Sequence, residues 1–242
     1  MEIKKVEVKI LEGLYHPILR DYGQMIDDCH DFYHVFEKGK VYGIVGECGA
    51  GGWGISYNLA GRENFIKGEI KIDGQLVTLK ELQQVGWCVG DGMPRSGLFS
   101  KSKSVFRQLQ DGMNTSNEKK LSVNDIVNKF NLSNDRLNLK VEEYSWEKWR
   151  ASIAIGYSCG KKLFCFPWLN TRFINDLILN AGIHICVDIL KNDGGIVIIP
   201  TENAESVESF VDEIVYLKNG RHLPSKRARE LVEEYRDSAN NK

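Results

Sequence analysis

Lys40-Val41-Tyr42-Gly43-Ile44-Val45 runs directly into Gly46-Glu47-Cys48-Gly49-Ala50-Gly51-Gly52-Trp53. The first six residues read as a short buried strand, and Trp53–Leu59 can begin a helix. Strand, glycine loop, helix is the context in which the pattern G-x-x-x-x-G-K-[ST] cradles a phosphate on backbone N–H groups at a helix N-terminus. Gly46 and Gly51 fit that pattern. Its lysine position falls on Gly52 and its metal-binding hydroxyl position on Trp53. The backbone half of the cradle is present; the cation and the metal contact are absent.

The rest of the chain sets the frame for that loop. With 242 residues it can bury a sizeable core. Lys+Arg 32 against Asp+Glu 33 leaves a net charge of -1, which argues against a nucleic-acid partner held by bulk electrostatics. No run of eighteen apolar residues occurs, and Met1-Glu2-Ile3-Lys4-Lys5 lacks a signal-peptide core. The six cysteines are scattered without a C-x-x-C pair and read as reduced thiols of a cytoplasmic protein. Cys29, His30 and His34 are close in sequence, but the aromatic-rich stretch around them reads as a strand. On a strand the two histidines stand too far apart for easy chelation, so no metal site is expected.

Periodicity orders the elements. Residues 2–10 alternate around Ile3, Val6, Val8 and Ile10. Residues 67–77 alternate about Asp73-Gly74, a hairpin signal. Val85–Val89, Leu163–Phe166, Ile196–Ile199 and Ile214–Leu217 are short apolar strands, the last running into a turn at Asn219-Gly220. Helices are expected at 121–130, where Ser122 and Asp125 form a capping box, at 149–158, and as one helix from about Phe173 to Leu190. A charged helix is expected from Ser225 on. Strands alternating with helices imply an α/β core with a largely parallel sheet.

In this order the segments resemble the nucleotide-binding domains of ATP-binding cassette (ABC) proteins over about residues 3 to 222. Phe36–Gly46 resembles the family's run into its Walker A loop, and Gly68–Gly74 its hairpin after the first helix. Val85–Val89 resembles the strand leading to the Q-loop. Tyr144-Ser145, followed by Arg150 and Ile153-Ala154, resembles the signature segment and its helix. Val215–Arg221 resembles the final hairpin. The resemblance implies a P-loop NTPase-like (RecA-like) core with an N-terminal antiparallel β subdomain and a helical subdomain at about 90–158, all in one domain of 1–242 that ends in a charged helix at 224–242.

The resemblance also fixes where the family's functional groups should stand. The Q-loop glutamine position is Gly90, followed by Asp91. The signature L-S-G-G-Q reads Tyr144-Ser145-Trp146-Glu147-Lys148, with only the serine in common. The Walker B carboxylates fall on Pro167-Trp168 or, in a shifted register, on Cys165-Phe166. The switch histidine falls on Glu202, and Tyr22 stands where an adenine-stacking aromatic belongs. A charge-assisted hydrogen bond from the lysine would be worth roughly 1.5–3 kcal/mol. Without hydroxyl, glutamine and aspartate, Mg2+ has no protein anchor, and without the glutamate nothing positions the attacking water.

The expectation is therefore an ABC-type subunit with no catalytic residues. Its degenerate nucleotide site comprises Tyr22, Gly46, Glu47, Cys48, Gly49, Ala50, Gly51, Gly52 and Trp53, binding ATP and Mg2+ weakly at most. Trp53 either plugs the phosphate site or packs on the core. Ser145, Trp146 and Trp149 form the signature segment, and the two indoles serve either as an interface patch or as core anchors. The implied partners are a second cassette subunit or a second copy, and a membrane permease at the inner membrane face. Two alternatives stand beside this: a binding or regulatory protein that reuses the fold away from any transporter, and a weakly active ATPase.

Overall fold

The computed structural model describes residues 2–15, 18–19, 23–24, 27–62, 66–94, 102–116 and 121–218. The chain opens with β1 (Lys5–Tyr15), the short β2 (Ile18–Leu19) and β3 (Gly23–Gln24), then β4 (Asp27–Glu37) and β5 (Val41–Val45). The glycine loop follows, then α1 (Gly52–Leu59), β6 (Ile66–Ile72), β7 (Gln75–Leu76), α2 (Leu79–Val85) and β8 (Gly86–Cys88). Next come α3 (Val105–Thr115), α4 (Val123–Lys129), α5 (Lys148–Ser158) and β9 (Leu163–Cys165). The described part ends with α6 (Thr171–Ala181), α7 (Ile183–Asn192), β10 (Ile196–Thr201) and β11 (Glu213–Tyr216).

Two sheets carry the architecture. An antiparallel sheet runs β4-β1-β6-β7, and a parallel sheet runs β11-β5-β10-β9-β8. Because strand side chains alternate between faces, β5 and β10 feed two cores. Tyr42, Ile44, Ile196 and Ile198 face the core shared with α1 and the antiparallel sheet (Ile55, Leu59, Phe36, Ile10). Val41, Val197 and Ile199 face the core filled by α3 to α7, through Leu109, Ile126, Ile153, Leu177 and Val187. Burial on both faces explains why these strands read as continuous apolar runs.

The local signals are realised. Asp73 and Gly74 adopt positive φ at the β6–β7 turn. Ser122 and Asp125 form the capping box of α4, with the Asp125 N–H donating to Ser122 Oγ at 3.1 Å and the Ser122 N–H to Asp125 Oδ2 at 2.8 Å. One expectation fails: residues 173–190 are not one helix. α6 ends on Gly182, whose φ of 58° lies in the left-handed region, and α7 departs at 83°. Glycine tolerates this conformation, so the apolar period continues across a break in the backbone. The turn at Asn219-Gly220 and the charged C-terminal helix lie outside the described residues.

His30 and His34 lie on β4, as the aromatic pattern predicts. His30 Nε2 stands 2.6 Å from Asp28 Oδ1 and His34 Nε2 3.5 Å from Glu213 Oε1. Among the described residues no group of three His, Cys, Asp or Glu side chains is placed to hold a metal ion.

Candidate functional site: the glycine loop and what surrounds it

The loop emerges from the C-terminal end of β5, beside β10 and β11. Ala50 and Gly51 are buried, whereas Glu47 and Cys48 are exposed. Gly46 lies against Leu217, Gly49 has a φ of 93° and Gly51 one of 98°. A Cβ on Gly51 would come within 2.5 Å of Cys29 Cβ, so both the conformation and the space demand glycine there. The start of β4 thus lies directly on the loop, and the Asp28 N–H donates to the Gly49 carbonyl at 2.9 Å.

The first N–H groups of a helix have no partner inside it. α1 has no side-chain cap of its own and no acidic residue in its first turn. Asp27, only 1% exposed, supplies the acceptors from 24 and 27 residues upstream. The Gly51 N–H donates to Asp27 Oδ1 at 2.8 Å and the Gly54 N–H to Asp27 Oδ2 at 2.7 Å. No lysine or arginine pairs with it among the described residues. Burial pushes the Asp27 carboxyl above the usual carboxylate range, while the N–H groups of Gly54, Gly51 and Trp53 pull it back.

The other wall is aromatic. Trp168, just after β9, donates its Nε1–H to the Gly46 carbonyl at 3.0 Å. A Cβ on Gly52 would sit 3.0 Å from Trp168 Cδ1 and 3.1 Å from Pro200 Cβ. Of the two registers expected for Walker B, the one on Pro167-Trp168 reaches the loop. Cys165 and Phe166 are sealed in the two cores at 0% and 1% exposure. Trp53 is buried and stacks on Tyr57 one turn along α1, with centroids 5.4 Å apart and planes 15° apart; Tyr57 in turn meets Tyr15 at 5.4 Å. The indole packs along the helix in an aromatic column. Among the described residues, side chains that meet the loop from outside it include Asp27, Trp168, Pro200, Leu217 and Cys29.

The remaining positions singled out in the sequence are tied into the scaffold. The Gly90 N–H and Trp87 Nε1–H both donate to Ser152 Oγ, at 2.9 and 3.2 Å, and that hydroxyl donates to the Asp91 carbonyl at 2.5 Å. One serine on α5 thereby pins the segment after β8. Glu202 is exposed, and its Oε1 accepts the Thr171 N–H at 2.8 Å at the start of α6. In the segment expected to be the signature, Ser145 is exposed, but Glu147 is 5% exposed and accepts from the Ser133 N–H at 2.5 Å and from Arg136 Nη1 at 3.2 Å. Tyr144 OH donates to the Arg136 carbonyl at 2.5 Å.

The two indoles separate. Trp149 is 5% exposed, parallel to Phe166 at 6.3 Å and edge-on to Phe173 at 5.7 Å, so it anchors the core and is not an interface anchor. Trp146 is half-buried, 5.5 Å from Phe173. Tyr22 lies outside the described residues. Asp27, Ser152 and Trp168 are the residues that sequence reading missed as site-builders. Their partners lie 24 to 122 positions away, and no local motif marks them.

This antiparallel sheet, parallel sheet and helical layer constitute the ABC ATPase fold. No family model and no curated protein matches the chain by sequence. Solved structures match its fold. The ATP-binding subunit of an ABC transporter aligns with a TM-score of 0.63 at 17% identity, over 89% of this chain and 86% of the other. A bacterial ABC transporter cassette solved as a dimer gives 0.62 at 15% identity, over 90% and 97%. The cbiO1 protein of Clostridium perfringens, part of the cbiONQ transporter complex, gives 0.59 at 19% identity, over 90% and 86%.

Proposed function

We propose that the chain is a catalytically degenerate ABC-type ATP-binding subunit, a pseudo-ATPase that acts as a structural or regulatory partner. Its partners are an active cassette subunit or a second copy, and a membrane permease, at the cytoplasmic face of the membrane. The observation that carries this reading is the crowding at Gly52. A Cβ there would lie 3.0 Å from Trp168 Cδ1 and 3.1 Å from Pro200 Cβ, and Trp168 donates to the Gly46 carbonyl. The loop has kept its turn and filled its reactive corner with apolar rings, which offer neither a charge for phosphate nor a ligand for Mg2+.

What supports the transporter part is the likeness of fold to ATP-binding subunits of ABC transporters. A groove of about 580 Å3, lined by residues including Arg62, Gln83, Trp87, Met93 and Lys161, opens beside α2 and β8.

The test is steady-state phosphate release by the purified chain with Mg-ATP. Release equal to a no-protein control is expected. Release clearly above it, abolished by Gly49→Val in the loop, overturns the proposal.

A further inference from the structure

We infer that Asp27 is a built-in phosphate surrogate: its carboxylate occupies the anion cradle of the glycine loop and holds the loop in shape without nucleotide. Three observations converge. A glycine loop leading into a helix leaves N–H groups that point outward and favour negative charge. Both carboxylate oxygens are used, one on the Gly51 N–H at 2.8 Å and one on the Gly54 N–H at 2.7 Å. Those two donors span the first turn, as the contacts of a bound oxyanion would. The carboxylate is 1% exposed, and no ion pair among the described residues involves it, so the loop amides are its compensation.

The placement is tight. Gly51 lies against Cys29, two residues along β4, and the Asp28 N–H holds the Gly49 carbonyl. Asp27 is therefore delivered by a strand pinned to the loop on both sides. A tethered anion has a high effective concentration, so a free phosphate must displace it at a loss. The consequence is a cassette core whose loop is ordered whether or not ATP is present. The inference goes beyond the proposed function, because a degenerate subunit need not carry its own anion.

The test is chemical rescue. Wild type, Asp27→Ala and Asp27→Asn are titrated with inorganic phosphate, pyrophosphate and formate, with chloride at matched ionic strength as control. Melting temperature and hydrogen exchange of residues 46–54 are read. Expected are a lower melting temperature and lost loop protection in Asp27→Ala, recovery of about 2–4 °C or more with the oxyanions but not chloride, and no response in wild type. If Asp27→Ala does not fold, Asp27→Asn is read for the lower melting temperature and the lost loop protection alone, since its amide nitrogen would face one of the two N–H groups as a second donor and leaves no space for an added oxyanion. A folded Asp27→Ala that stays unresponsive, an unchanged variant, or a wild type that responds equally overturns the inference. Phosphate release by wild type would instead overturn the proposed function and leave the rescue result standing.

Discussion

The glycine loop and the segment Tyr144–Lys148 are held in different ways. At the loop Asp27 accepts from the backbone amides and Trp168 lies against Gly46 and Gly52. Tyr144–Lys148 is the entry to α5, and there Glu147 accepts from Ser133 and Arg136. Buried backbone N–H groups at a helix start need an acceptor, and at the loop Asp27 supplies it from another strand. Tyr144–Lys148 is held instead by what its own side chains reach.

That contrast can be broken first at Trp149. If α5 is held by core packing, Trp149→Ala should cost about 3–5 kcal/mol of folding stability by denaturant unfolding. A loss confined to partner association, with the unfolding midpoint unchanged, would return the indole to an interface. Next is Glu147→Ala, which strips the acceptor from the half-buried Ser133 N–H and from Arg136. A cost of about 2–3 kcal/mol is expected, and a cost within ~0.5 kcal/mol would show that the segment is held by something else.

At the loop, Gly52→Lys with Trp53→Ser introduces the G-K-S pattern of a phosphate-binding loop into a crowded space. Overpacking against Trp168 and Pro200 should destabilise the chain by about 1–3 kcal/mol, and Mg-ATP should not recover the loss. Recovery would mean that the rings swing aside and the loop is only dormant.

The smallest effect lies away from both regions, on β4. Burial lowers the His34 imidazole below its ordinary value, against the pull of Glu213. The unfolded chain then binds more protons than the folded one, so stability should rise with pH through the interval just below about 6.5 and fall as pH drops through it. His34→Gln should flatten that slope in pH-dependent melting; an identical slope would exclude His34 as its source.

Much of the fold was legible because it is written in local terms. The Asp73-Gly74 turn, the Ser122–Asp125 box and the apolar runs of β5 and β10 each declare themselves within a few residues. The break at Gly182 was not legible, because the apolar period runs through it and only the backbone changes hand. The loop itself was legible as a loop missing its lysine. What fills it was not, because Asp27 and Trp168 arrive from β4 and from the end of β9, and sequence gives no reason to pair either with a glycine. Trp149 read equally well as interface or core, since its neighbours Phe166 and Phe173 come from beyond the helix that carries it.

The central claim is that the phosphate cradle is already taken. The most direct test is the melting temperature of the wild-type chain across a titration of Mg-ATP to millimolar levels, since a ligand that binds the folded state alone must raise it by mass action. The account predicts a melting temperature that stays flat. A rise of several degrees that saturates with Mg-ATP would contradict it, because nucleotide would then be reaching the amides assigned to Asp27.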